Sequence, residues 1–217
     1  VRLRSLVANA VAGANCPAPR TYFAHYYKRY LQFMDEPAIT SNDIVMLGNS
    51  LTEGGGDWGK RLGKDNIINR GISGDVAMGI YDRLHQILPG KPKQIFLLIG
   101  VNDISHDLST DSIVNMIEKN VIRIQRESPE TKLYLQSLLP IDESFNRYKK
   151  LTNKTYQIPE INDRLKALAK EKKIDFIDLY PLFTEKGTNV LRKELTYDGL
   201  HLKEEGYKIW VDAIKKK

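Results

Sequence analysis

Residues 93–99 read KQIFLLI, and the last five of them are apolar without a break. A strand with one face in water would alternate polar and apolar side chains instead. This one must be covered on both faces, as strands are in a parallel sheet flanked by helices. Shorter runs at Asp43–Leu47, Asn66–Asn69, Lys132–Ser137 and Ile174–Ile177 read as its neighbours.

Helical patterns fill the gaps between these runs. Asp111–Glu127 carries Ile113, Ile117, Val121 and Ile124 on one stripe, the spacing of a helix with a single buried face. Thr21–Met34, rich in aromatics, reads as a helix packed on the domain edge. Asp57–Leu62 and Val76–Leu88 read as helices, the second closed by Pro89-Gly90-Lys91-Pro92. Tyr156–Lys172 reads as a helix interrupted near Pro159, and Lys203–Ile214 as the last helix, with a long loop or broken helix over 178–196. Strands alternating with helices imply an α/β domain with helices on both faces of a parallel sheet. Without a repeat, a low-complexity segment or a linker, the expected division is an N-terminal extension and edge helix over 1–40 and one domain over 41–217.

Composition narrows the function classes. With 217 residues, 41% hydrophobic and 28% charged, the chain can bury one sizeable core. No apolar run approaches the roughly 18 residues of a membrane span, so stable membrane insertion is not expected. The net charge of +6 comes from lysines spread over helix faces and the 215–217 tail, not from a patch interleaved with aromatics. Nucleic acid is therefore not an expected partner. One cysteine, Cys16, allows neither an intrachain disulfide nor a multi-cysteine metal site. The opening VRLRSLVANAVAGA, two arginines followed by small apolar residues, gives a hint of secretion or periplasmic export and reads equally as a capping helix.

Three strand ends carry small or polar residues: Ser50 after DIVML, Gly74 in NRGISGD, and Asn102 in GVND. In an open parallel sheet the carboxyl ends of all strands line one edge, where ligands bind. Three glycines, Gly54 to Gly56, follow the serine and leave backbone that a substrate can approach. Near the C-terminus, Asp198 and His201 stand three apart in a turn before a helix. That spacing lets a carboxylate hold the imidazole Nδ1–H and leave Nε2 outward as a base. Ester cleavage needs this set: Ser50 as nucleophile, His201 as base, Asp198 as its orienting group. Oxyanion donors are expected from the backbone N–H groups of Ser50 and Gly74 and the Asn102 side-chain amide. Glycine at 74 is expected to leave room for an oxyanion against bare backbone. His106 lies close to the Asn102 turn and is a candidate lining residue.

These blocks resemble those of the SGNH hydrolases of the GDSL lipase/esterase superfamily. Gly48-Asn49-Ser50-Leu51 resembles the first block and Asn69-x-Gly71-x-x-Gly74-Asp75 the second. Gly100-x-Asn102-Asp103 resembles the third, and Asp198-x-x-His201 the last. NRGISGD and DGLHLKEEGY are most similar to the platelet-activating-factor acetylhydrolase-like branch. The resemblance implies a three-layer α/β/α sandwich with a five-stranded parallel sheet in the flavodoxin-like order 2-1-3-4-5, and a reaction needing no metal or other cofactor. One residue departs from the pattern: Asn49 stands where the family usually has aspartate. Asparagine is isosteric and still accepts a hydrogen bond, so the turn is expected to survive.

The function expected is hydrolysis of short acyl esters, acetyl above all, on a carbohydrate or other small O-acetylated molecule. A phospholipid or lysophospholipid acylhydrolase, and a catalytically silent flavodoxin-like binding module, are the alternatives. The segments expected around Ser50 are polar, with Trp58 and Phe145 as the large apolar candidates for a small pocket.

Overall fold

The computed structural model describes residues 21–217. Cys16 and the VRLRSLVANAVAGA stretch lie outside the described residues.

Five strands form one parallel sheet: β1 (Ile44–Gly48), β2 (Ile67–Gly71), β3 (Gln94–Leu98), β4 (Lys132–Gln136) and β5 (Asp175–Ile177). Their order is β2-β1-β3-β4-β5, the 2-1-3-4-5 arrangement expected. Every residue of β1 and β3 is buried, which explains why both read as continuous apolar runs. The pleat divides them between two cores. Val45, Leu47, Ile95 and Leu97 point to one face and meet α4 (Ala77–Arg83), α6 (Thr110–Glu127) and α7 (Gln157–Lys172). Ile44, Met46, Phe96 and Leu98 point to the other and meet α2 (Ser50–Gly54), α3 (Trp58–Leu62) and α9 (Glu204–Ile214). The sandwich is thus three layers deep.

On α6 the predicted stripe of Ile113, Ile117, Val121 and Ile124 is fully buried. Truncating one of these isoleucines to alanine would cost about 2–5 kcal/mol, because a packed sheet face cannot collapse into the void. Ser109 caps this helix, its Oγ accepting the Ser112 N–H at 3.2 Å. The edge helix α1 (Ala24–Asp35) buries Tyr26, Tyr30 and Phe33 against Ile72, and the Tyr26 hydroxyl donates to the Gly79 carbonyl at 2.9 Å.

Two local expectations are corrected. α7 runs unbroken through Pro159, because that proline is the third helical residue, where no N–H has a partner within the helix. The helix expected over 76–88 ends at Arg83 and continues as 3-10 turns at Leu84–Gln86 and Leu88–Gly90, since Pro89 disfavours α geometry at Leu88. Residues 178–196, expected as a long loop or broken helix, hold the short α8 (Tyr180–Phe183), a Thr184–Leu191 bridge and a 3-10 turn at Lys193–Leu195. Ser50 is the first residue of α2, and Asn49 is its cap.

No helix among the described residues is long and apolar enough to cross a membrane.

Strand register positions the site. Gly48 is level with Gly71 on one side and Leu98 on the other. The chain therefore leaves β1, β2 and β3 at the same height, and Ser50, Gly74 and Asn102, the last on α5 (Val101–Ser105), follow within four residues of those ends. The segments after β4 and β5 complete the rim.

Candidate active site

Ser50 owes its place to Asn49. The Asn49 side chain is buried, and its Oδ1 accepts the Leu51 N–H at 3.0 Å, which starts α2 directly off β1. The Glu53 N–H bonds the Asn49 carbonyl at 2.9 Å and completes the turn. Among the described residues the Asn49 Nδ2 has no acceptor, as expected where an acceptor-only aspartate is the usual residue.

The C-terminal loop brings in the imidazole. His201 Nε2 lies 2.9 Å from Ser50 Oγ, across 151 positions of sequence. Its Nδ1 lies 2.8 Å from Asp198 Oδ2. The other carboxylate oxygen, Oδ1, accepts the backbone N–H groups of Leu200 at 3.0 Å and His201 at 2.7 Å. A carboxylate beside Nδ1 keeps the proton there and leaves the Nε2 lone pair for the serine hydroxyl. Burial works against the Asp198 charge, but hydrogen bonds from Tyr148, His201 and the loop backbone outweigh it and hold the carboxyl below its usual range.

Loop shape depends on Gly199, at φ +89°, where a Cβ would lie 2.3 Å from the Asp142 carbonyl oxygen. The Asp142 N–H in turn donates to the Gly199 carbonyl at 2.9 Å. Thr196 braces the same loop, donating to the His201 carbonyl at 2.7 Å and accepting the Gly199 N–H at 2.9 Å.

The three expected oxyanion donors line one cleft with Ser50 and His201, of about 1000 Å³. Among the described residues neither the Ser50 nor the Gly74 N–H has a protein acceptor. Asn102 Nδ2 donates one hydrogen to the Asp75 carbonyl at 2.8 Å, which fixes the amide and leaves its second N–H unassigned. The backbone at Gly74 adds its own requirement for glycine. Its φ is +83°, and a Cβ would meet the Phe23 ring at 2.8 Å.

Several contributors escaped the sequence reading. The Tyr148 hydroxyl donates to Asp198 Oδ2 at 2.5 Å and stands 2.9 Å from His201 Nδ1. Glu53 accepts the Ser73 N–H and hydroxyl and faces His25 Nε2 at 3.0 Å. Arg83, fully buried, joins Asp75 Oδ2 at 2.9 Å to the Gly48 carbonyl at 3.1 Å, and so ties the first block to the second. Burial pushes the Asp75 carboxyl up to about 6 against the pull of Arg83. Asp103, also buried, faces the Ala77 N–H at 3.1 and 3.2 Å, and burial raises its carboxyl to about 7. These partners are 8 to 53 positions apart and leave no local spacing to read.

Three expected lining residues are elsewhere. Trp58 is buried in the core, its indole N–H bonded to the Thr52 carbonyl at 2.9 Å, and Phe145 packs by Gly199 outside the cleft. The aromatic lining comes from Tyr148, Tyr197 and Tyr207 instead, with Tyr197 stacked on His201 at 6.0 Å between centroids. His106 is not among the lining residues. No three His, Cys, Asp or Glu side chains are grouped as a metal site needs, among the described residues.

Residues 46–209 match the GDSL-like Lipase/Acylhydrolase family. A Streptococcus pneumonia protein provisionally assigned as a platelet activating factor is 25% identical, with a TM-score of 0.80 over 99% of this chain and 97% of that one. An acetyl xylan esterase, 22% identical, shares the fold with a TM-score of 0.66 over 80% of this chain and 98% of its own. Among curated proteins, an N-acylneuraminate cytidylyltransferase of Escherichia coli O18:K1:H7 is 26% identical over 177 residues, 80% of this chain. The chain spans 39% of the length of that relative.

Proposed function

The chain belongs to the GDSL-like lipase/acylhydrolase family, and on that premise we propose that it is a serine esterase using Ser50, His201 and Asp198 on short acyl esters. The observation carrying this reading is the continuous hydrogen-bonded run from Ser50 Oγ through the imidazole to Asp198, at the carboxyl edge of the sheet.

In this reading Ser50 Oγ attacks the acyl carbon while His201 Nε2 takes the hydroxyl proton. The carbonyl electrons move to the oxygen, and the resulting oxyanion is held by the Ser50 and Gly74 N–H groups and the Asn102 amide. Collapse of the tetrahedral adduct expels the alcohol, which receives the proton from Nε2. Water, deprotonated by the same nitrogen, attacks the acyl-Ser50 ester and releases the acid by the reverse sequence.

The substrate proposed is an acetylated carbohydrate or another small O-acetylated molecule. The cleft supports this by mixing charged and polar side chains with the faces of Tyr148, Tyr197 and Tyr207, and an acetyl xylan esterase is built on the same fold. Phospholipid acylhydrolysis is the alternative. A silent binding module gives no reason for a base within 2.9 Å of a helix-mounted serine.

A fluorophosphonate probe should label wild-type protein at Ser50, and Ser50→Ala should abolish both labelling and hydrolysis of p-nitrophenyl acetate. Full turnover by a folded Ser50→Ala variant would overturn the assignment.

A further inference from the structure

We propose that Tyr148 is a positioning residue that sets the basicity of His201 by sharing the Asp198 oxygen on which the imidazole rests. This rests on the reading of Ser50, His201 and Asp198 as the catalytic set.

The geometry leaves one arrangement of protons. Asp198 Oδ1 is occupied by two backbone N–H groups, so only Oδ2 faces the ring. Nδ1 carries a proton whenever Nε2 is the base. The Tyr148 hydroxyl, 2.5 Å from Oδ2 and 2.9 Å from Nδ1, can therefore donate only to Oδ2. Its own oxygen then lies where a second branch of the Nδ1–H bond falls. One carboxylate oxygen thus receives two donors, and the ring N–H is held between two acceptors.

Both contacts have consequences for the base. A phenol bonded to Oδ2 withdraws part of the negative charge on which the imidazole rests, and so weakens the carboxylate's hold on a protonated ring. The second acceptor on Nδ1–H resists rotation of the ring away from Ser50. Tyr148 does not exchange its own proton in this scheme, since burial and the Asp198 charge push its ionisation upward.

Among the described residues, Glu53, Arg147, Lys149, Lys150 and Tyr207 share the cleft with His201, and four groups touch its ring. Asp198 and Tyr197 come from its own loop, Ser50 from α2, and Tyr148 from the segment after β4, where Arg147 acts on the Tyr148 hydroxyl. That segment is anchored independently. Leu151 is buried, Asp142 bonds Gly199, and the Glu143 carboxylate takes the Asn153 N–H at 2.9 Å and the Thr155 hydroxyl. Tyr148 is therefore presented to the loop by a braced element.

The test compares wild type with Tyr148→Phe, which keeps the ring and removes only the hydroxyl. Two measurements are made: the pH dependence of kcat/KM on p-nitrophenyl acetate, and NMR titration of the His201 ring. Both should show the apparent pKa of His201 raised by about half a unit to one unit, because the short bond to Oδ2, at 2.5 Å, outweighs the longer Nδ1 branch, at 2.9 Å, that is lost with it. With Asp198→Asn as background, Tyr148→Phe should produce no such shift. Should Tyr148→Phe fail to fold, a ring-fluorinated tyrosine at 148, a stronger donor of the same shape, should move the pKa the other way. An unchanged His201 pKa in a folded variant overturns the proposal, even if the rate falls. NMR titration does not depend on turnover, so lack of any esterase activity would count against the function alone.

Discussion

Glu53 Oε2 accepts both the backbone N–H of Ser73, at 2.5 Å, and its hydroxyl, at 2.8 Å. Glu53 lies three residues after Ser50 on α2, and Ser73 precedes Gly74, so this carboxylate locks the serine helix to the loop offering the Gly74 N–H. Burial opposes the Glu53 charge, but bonds from His25 and Ser73 hold its carboxyl below the usual range. Glu53→Ala should lower kcat by about 10-fold or more with little change in KM, because displacing the proposed Gly74 donor approaches the roughly 10²–10³-fold cost of deleting an oxyanion donor. Glu53→Gln should recover part of the loss, since an amide oxygen still accepts the Ser73 N–H. Steady-state kinetics decide; a wild-type kcat in a folded Glu53→Ala variant would remove the clamp from the account.

Asn102→Ala should cost about 10²–10³-fold in kcat at nearly constant KM, the expected loss of one oxyanion donor. Its Nδ2 bond to the Asp75 carbonyl preorganises the amide. A rise in KM alone would assign Asn102 to substrate binding.

Asp103 makes a prediction about stability. Its carboxyl is raised by burial to about 7 in the fold, against 3.8 ordinarily. Between those values the folded state holds a proton that the unfolded chain has released, so this residue's contribution to stability falls as pH rises from about 4 to about 7. Asp103→Asn is isosteric, stays neutral and can still accept the Ala77 N–H. The variant's Tm relative to wild type should therefore rise between pH 5 and pH 8, as measured by calorimetry. A difference independent of pH would show that the buried carboxylate carries no such penalty.

Acyl length tests the shape of the cleft. An added methylene contributes about 0.8 kcal/mol only where it is buried. Around Ser50, Glu53, Arg147, Lys149 and Lys150 line the cleft beside its tyrosines and leucines. The kcat/KM for p-nitrophenyl acetate should exceed that for the decanoate. A decanoate value ten times the acetate value would favour the lipid acylhydrolase alternative.

Much of the site was legible because its parts fall at strand ends. An unbroken run such as IFLLI announces a strand covered on both faces, and the residue after it must emerge at the sheet edge. Ser50, Gly74 and Asn102 each carry that local signal, and Asp198 and His201 carry theirs in a spacing of three. Proline was read less well. Pro159 looks like a break in sequence but falls where a helix has no N–H to satisfy. Trp58 looked like a pocket residue, although its indole N–H finds a partner inside the core.

By itself, then, the sequence determined the sheet, its helical cover and the residue types gathered at one edge, since periodicity and turn chemistry are local properties of the chain. The tertiary structure decided how those residues are held. Tyr148 reaches Asp198 across 50 positions, Ser73 reaches Glu53 across 20, and Arg83 spans 35 to the Gly48 carbonyl. A hydrogen bond depends on separation in space, and separation in space between loops is set by strand register and packing, which no run of neighbouring residues encodes.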